Sequence, residues 1–276
     1  MTNAPHIAPM RTGTKYGRVD LADALEQDAL VCGLEHLVMG EGTERHQKEL
    51  GISRSEQDDF AARSHQLAMD AQEKGVFAEE ISTVPVPRWG KQIEVDEGIR
   101  PDTTSESLAA LAPAFVADGT ITAGSASQLS DGAATLVVMD KKEAQRRGLA
   151  WIADIISYAT VAGPSPSLLH QPARAIERAA GQAEMNPAEL DLIEINEASA
   201  SVAIASIREL NVDSARVNSN GGAIALGHPV GATGARLVLT LAHALRRRGG
   251  GVGAAALCGG GGQGDAIILR VADESL

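Results

Sequence analysis

Apolar and polar positions change texture once along this chain. Through the first hundred or so residues the apolar positions are scattered among charges, and one stretch has helical spacing. There Phe60, Leu67 and Ala71 recur on one face, after the capping-box pattern Ser53-Arg54-Ser55-Glu56 and before Gly75. Pro85, Pro87 and Gly90 break the chain beyond it. From Ile121 onward, short apolar runs alternate with helical patterns. Residues 133–139 predict a strand, 141–147 a helix and 151–160 a strand. Pro172 opens the next helix, and Asn186-Pro187-Ala188-Glu189 caps a short one. Residues 192–195 are an apolar run of buried-strand length. Residues 199–210 and 234–247 are amphipathic, the second presenting Leu237, Leu241 and Leu245 before a basic last turn and a glycine stop. Residues 252–257 and 266–271 close the chain as two strands spaced like a hairpin.

Strand and helix alternation of this kind predicts a layered α/β fold, and the closing hairpin makes the sheet mixed. The irregular first part reads as an inserted or covering helical loop domain ending near Asp118-Gly119. The expected division is 1–119, 120–146 and 147–276. With 276 residues, 44% of them hydrophobic, the chain can bury one large core or two modest ones.

Charge and composition remove several classes of partner. A net charge of -12 repels polyanions, and 3% aromatic content leaves little for stacking bases, so nucleic acid is not an expected partner. Neither a long apolar span nor a basic, apolar leader is visible, which predicts a cytoplasmic chain with no membrane partner. Two cysteines, Cys32 and Cys258, are too few for a disulfide framework and fit a reducing compartment.

Candidate chemistry collects at predicted strand ends bracketed by small residues. The three places are Asn196-Glu197-Ala198, Gly227-His228-Pro229 within the glycine-rich run 221–236, and Cys258-Gly259-Gly260. Glycine lets backbone N–H groups approach a ligand closely, so such runs suggest a site built partly from main chain. Taken singly, each is a weak signal: a lone histidine is more often surface or structural, and a lone cysteine is usually an ordinary buried thiol. The glycine run 259–264 precedes a strand-like segment rather than a helix, which argues against a dinucleotide-binding dehydrogenase.

Together and in this order, these segments resemble the thiolases, which make or cleave the carbon–carbon bond of 3-ketoacyl-CoA. The resemblance rests on Asn196-Glu197-Ala198-Ser199-Ala200, on the stretch from Asn220 to Pro229, and on Cys258 through Gly262. Thr122-Ala123-Gly124-Ser125-Ala126-Ser127, followed by Asp131-Gly132-Ala133-Ala134, is a fourth match. It implies that His228 activates a nucleophilic thiol and polarises a thioester oxygen, and that Cys258 is the acid/base toward the α-carbon. Asn196 would hold a water in one oxyanion hole and the Gly260 N–H would serve a second; such donors are typically worth about 3 kcal/mol each. CoA contacts would fall on Arg100, Ser107, Ala123 and Ser127, with Arg100 suited to the anionic nucleotide end. The plainer reading of Arg100 is a surface ion pair, and of Ser127 a turn. Acyl-CoA or CoA would be the partner, with no cofactor and no metal.

Departures from the family pattern carry expectations of their own. The chain opens with Met1-Thr2-Asn3-Ala4-Pro5, which matches the interior of a family segment lying after the nucleophilic cysteine. The resemblance therefore implies an absent N-terminal half-domain of about 100 residues, an isolated chain that is inactive, and an exposed sheet edge between Ile121 and Met139. A homo-oligomer or a complementing N-terminal thiolase segment would then be the partner; the alternative is a non-catalytic CoA-binding subunit of a split thiolase. Cys32 lies in the packed-looking segment 29–34 and is not expected to substitute as nucleophile. Ser199 stands where the family has phenylalanine beside the acyl pocket, and Val38 stands where some members have histidine, so the acyl chain length is left open.

Overall fold

The structure is a computed structural model that describes residues 1–8 and 10–273, apart from the side chain of Trp89. Among the described residues, the irregular first part holds three short antiparallel ribbons and three α-helices. The ribbons are β1 (His6–Ile7) with β2 (Ala22–Asp23), β3 (Val31–Cys32) with β4 (Leu37–Val38), and β5 (Val84–Val86) with β6 (Lys91–Ile93). The helices are α1 (Met39–Gln47), α2 (Arg54–Glu73) and α3 (Ser105–Ala109).

Helix α2 starts and stops where its caps predict. Ser53 Oγ accepts the Glu56 N–H at 3.2 Å, and Gly75 leaves the helix at φ +68°. The reciprocal half of the expected box is not made, because the Glu56 carboxylate instead receives Arg208 Nη2 at 2.7 Å. The buried face of α2 repeats every three to four residues, but Gln57, Ser64 and His65 alternate along it with Phe60, Ala61 and Ala68. Hydrophobic periodicity sees only half of that stripe.

Beyond it come α4 (Lys141–Arg146), β7 (Asp154–Ala162), α5 (Gln171–Gln182), β8 (Leu192–Ile195) and α6 (Ala200–Leu210). The chain ends with α7 (Ala223–Leu226), α8 (Thr233–Arg247), β9 (Gly251–Gly259) and β10 (Gln263–Val271). The sheet order is β7-β10-β9-β8, parallel only between β8 and β9, which is the mixed sheet expected from the closing hairpin.

Side-chain alternation on the strands sorts the core into layers. Ile193, Ile195, Ala254, Ala256 and Ile268 face α5, where Ala173, Ile176 and Ala179 bury against them. The opposite face, with Ala255, Leu269 and Val271, takes Leu237, Leu241 and Leu245 of α8. Small residues on β9 let both helices approach closely. A Cβ on Gly253 would stand 2.6 Å from the Leu192 carbonyl oxygen and 2.8 Å from Leu241 Cδ1. A further cluster joins α2 to α6 through Phe60, Ala61, Ala200, Ala203 and Ile204, so the first part of the chain covers the strand ends of the second.

One predicted element is not formed. Residues 133–139 have no ladder partner, and among the described residues their backbone makes no hydrogen bond to other backbone. Val137 is 90% exposed and Val138 69%. A β-branched run becomes a strand only where a neighbour supplies the other half of the ladder, and no described strand lies beside this one.

These two environments predict opposite mutational outcomes. Leu241→Ala should lower the unfolding free energy by about 2–5 kcal/mol, whereas Val137→Ser should change it by no more than about 0.5 kcal/mol. Urea denaturation measures both, and a large loss for Val137→Ser would show that residues 133–139 are packed.

Candidate active site

Strand β8 delivers the first site residue. Ile195 pairs with Ala256 of β9, and the next N–H, that of Asn196, still donates to the Ala256 carbonyl at 2.9 Å. Two residues further along β9 lies Cys258, so Asn196 and Cys258 leave the carboxyl ends of adjacent parallel strands. Crevices outside such strand ends are where open α/β sheets bind ligands. By the same alternation, Leu192 and Glu194 face α8, and Asn196 points toward the start of that helix.

His228 sits there. Its Nδ1 lies 2.7 Å from Thr233 Oγ1, its Nε2 lies 3.4 Å from Asn196 Nδ2, and its backbone N–H donates to the Gln128 carbonyl at 3.3 Å. Burial, and secondarily the Arg236 guanidinium, push the imidazole down to about 4, so it is neutral at pH 7. Arg236 itself lies 3.6 Å from buried Glu194, whose carboxyl burial pushes up to about 8 against the pull of Arg236. Asn196 is fully buried, and its Oδ1 has no hydrogen-bond partner among the described residues.

Cys258 lies at the end of β9 before the tight turn to β10, half-buried against the cluster that contains Ala198 and Met39. Desolvation pushes its thiol up to about 12, so it holds its proton at neutral pH. Gly260 follows in the turn, where an added Cβ would meet Met39 Sδ at 3.3 Å. The other thiol, Cys32, is buried and lines a small cavity with Glu35, Met39, His46 and Gly261.

Glu197, the residue after Asn196, binds the parts together. Its buried carboxylate accepts Ser64 Oγ–H of α2 at 2.7 Å, Asn218 Nδ2–H at 2.8 Å and the Ile224 N–H at 3.0 Å. Burial raises its carboxyl, and these three hydrogen bonds oppose the rise. Asn218 in turn mimics a strand beside β8, accepting the Ile195 N–H at 2.8 Å and donating to the Ile195 carbonyl at 2.9 Å. The two leading glycines of the glycine-rich run serve this packing. A Cβ on Gly221 would lie 2.5 Å from the Ser64 carbonyl oxygen, and one on Gly222 would lie 2.2 Å from the Glu197 carboxyl carbon. They make room for protein, where the sequence suggested room for a ligand.

The residues assigned to CoA divide. Ser127 donates from both its N–H and its hydroxyl to the Ala198 carbonyl, at 3.1 and 3.2 Å, which joins it to the Asn196 loop. Ala123 is exposed nearby, and exposed Arg100 is held by its N–H donating to His65 Nδ1 at 3.1 Å. Ser107 instead completes the cap of α3, exchanging hydrogen bonds with Thr104. Sequence reasoning missed Gln128, whose amide donates to the carbonyls of Gly98 and Ile224 at 2.9 and 3.0 Å and so ties the Arg100 segment to the His228 loop. It also missed Ser64, a polar residue on a helix face with no glycine or strand-end signal, and gave no role to Thr233 and Arg236 within the glycine-rich run. Among the described residues no group of three or more His, Cys, Asp and Glu is placed to hold a metal ion, and no helix is long and apolar enough to cross a membrane.

Comparison with known proteins covers nearly all of the chain. The family model described as "Thiolase, N-terminal domain" matches residues 1–142, and "Thiolase, C-terminal domain" matches 149–271. The chain is 53% identical over 274 residues to a "Probable acetyl-CoA acetyltransferase" of Mycolicibacterium smegmatis, covering 98% of this chain and 71% of the relative. It is 43% identical over 275 residues to the acetyl-CoA acetyltransferase of Escherichia coli, at 98% and 70% coverage. The crystal structure of the Bacillus anthracis acetyl-CoA acetyltransferase superposes with a TM-score of 0.92 at 38% identity, over 97% of this chain and 68% of that one. Human mitochondrial 3-ketoacyl-CoA thiolase in complex with CoA gives 0.90 at 36% identity, over 98% and 68%. The N-terminal-domain model matches residues 1–142, so the match gives no support to the expectation of an absent half-domain or of an inactive isolated chain; the chain spans about 70% of the length of these relatives.

Two desolvated histidines give the fold a defined acid response. His65 and His228 are each pushed down to about 4, against about 6.5 in an unfolded chain. Between those values the unfolded chain binds more protons, so stability falls as pH drops from 6.5 toward 4. Urea midpoints measured across that window should fall toward acid, and His65→Gln and His228→Gln should each flatten the slope. Unchanged slopes in both variants would show that neither imidazole is held neutral by the fold.

Proposed function

From the premise that the chain belongs to the thiolase family and is a thiolase-type acyltransferase, we propose that it makes or cleaves the carbon–carbon bond of 3-ketoacyl-CoA, with acetyl-CoA among its substrates. CoA thioesters are the substrates, and the chemistry calls for no cofactor. Names of relatives support the acetyl group, since those at 42–53% identity are acetyl-CoA acetyltransferases.

The observation that carries this reading is that Asn196, whose amide contacts His228, and Cys258 leave the carboxyl ends of adjacent parallel strands. His228, neutral and in contact with the Asn196 amide, takes the proton of an attacking thiol and then polarises the thioester oxygen. Cys258, holding its proton, is the acid that returns a proton to the α-carbon in cleavage and the base that removes one in condensation. Asn196 and the Gly260 N–H donate toward the oxyanions. Arg100, Ala123 and Ser127 border the CoA path, Arg100 at its anionic end. Ser107 reaches it only through its place in the α3 cap.

Exchange at the α-carbon tests this half of the chemistry directly. The purified chain, given acetyl-CoA in deuterium oxide, should incorporate deuterium at the acetyl methyl group, read by mass spectrometry. Cys258→Ala should slow incorporation by about 10²–10⁴-fold. Incorporation at the native rate in Cys258→Ala would overturn the assignment, and CoA binding with no incorporation by the native chain would favour a non-catalytic CoA-binding subunit.

A further inference from the structure

The glycine-rich stretch contains one hydroxyl that the proposed chemistry does not use, Thr233, the first residue of α8 and fully buried. Its Oγ1 stands 2.7 Å from His228 Nδ1 and donates to the Pro229 carbonyl at 3.0 Å. On the far side of the ring, Nε2 faces the Asn196 amide nitrogen at 3.4 Å. With the Asn196 amide nitrogen turned to the ring, these contacts set the placement of hydrogens. Two N–H groups cannot point at each other, so Nε2 presents a lone pair to Asn196 Nδ2–H. In that arrangement the ring proton of the neutral imidazole lies on Nδ1 and is accepted by Thr233 Oγ1, whose own hydrogen points to the Pro229 carbonyl. A hydrogen bond at one imidazole nitrogen sets the proton at the other.

We propose that Thr233 is a positioning residue that holds His228 as its Nδ1–H tautomer, with the basic Nε2 turned to the reaction centre. The inference rests on the role given to His228 above and adds a division of work within it. When Nε2 takes a thiol proton the ring becomes an imidazolium, and the new Nε2–H is the donor that faces the thioester oxygen. Nδ1 keeps its proton on Thr233 throughout, so the ring need not turn between the two tasks. The fold supplies the rigidity: the Ala232 and Thr233 N–H groups both donate to the Pro229 carbonyl, at 2.8 and 3.1 Å, which fixes the turn between His228 and α8.

Long-range proton–nitrogen correlation spectra of the ¹⁵N-labelled full chain at pH 7 read the tautomer without any turnover, with His228→Asn identifying the signals. The native chain should show a protonated-type shift for Nδ1 and an unprotonated-type shift for Nε2. Thr233→Val should shift the ring toward the Nε2–H form or a mixture, and Thr233→Ser should restore the native pattern. In parallel, Thr233→Val should slow deuterium incorporation into acetyl-CoA by about tenfold or more with the KM for acetyl-CoA unchanged, and Thr233→Ser should recover the rate. An Nε2–H ring in the native chain, or an unaltered ring in Thr233→Val, overturns the inference. An Nδ1–H ring that depends on Thr233, combined with native exchange in His228→Asn, upholds the tautomer and rejects the role assigned to His228.

Discussion

A single buried carboxylate, that of Glu197, holds the candidate site in one piece. It accepts three hydrogen bonds from three separate parts of the chain: Ser64 on α2, Asn218 beside β8, and the Ile224 N–H at the start of α7. A carboxylate removed from water must find such donors, and a donor left facing a void costs about 1–3 kcal/mol. Satisfying Glu197 therefore forces the covering helix, the strand end and the glycine-rich loop into one arrangement. Ser64 closes the circuit, since its Oγ also accepts the Gly222 N–H at 3.0 Å. Asn196 and His228 lie one residue before Glu197 and four residues after Ile224, so the geometry of the reacting groups follows from that of the carboxylate beneath them.

Around this anchor, desolvation sets the resting protons. His228 is neutral and Cys258 is protonated, which leaves the centre without charge until a thiol or an α-carbon is presented. Charge is kept on the α8 side, where Arg236 meets Glu194 and depresses His228 further. The strand alternation that buries Leu192 against α8 places Glu194 and Asn196 on that same side, so sheet geometry, electrostatics and site are consequences of one period of two.

Much of this architecture was legible in the sequence because its signals are local. The Ser53 cap, the leucine stripe of α8 and the closing hairpin each depend on residues a few positions apart; the stripe and the hairpin formed as predicted, and the cap formed without the reciprocal half of its box. The strand expected at 133–139 did not form, because a strand is made by its neighbour and the segment alone cannot show whether one is present. At the site, Asn196 and Cys258 announced themselves by strand-end position and His228 by its glycine-rich bend, although His228 lies between α7 and α8 and not at the strand end expected of it. Ser64, Gln128 and Arg236 did not, because each acts through contacts made across the fold: Ser64 reaches Glu197 from 133 residues away. Gly221 and Gly222 were visible but misleading, since a glycine run looks the same whether it yields space to a ligand or to a neighbouring helix.

The dependence of the site on Glu197 is most directly tested by amide hydrogen exchange in Glu197→Ala. Loss of the carboxylate should speed exchange of the Ile224 and Gly222 N–H groups by about tenfold or more, a loss of roughly 1.4 kcal/mol in local protection, while the amides of β9 and β10 keep theirs. Native exchange rates at Ile224 and Gly222 in that variant would contradict the account, because the loop carrying His228 would then be held in place by something other than Glu197.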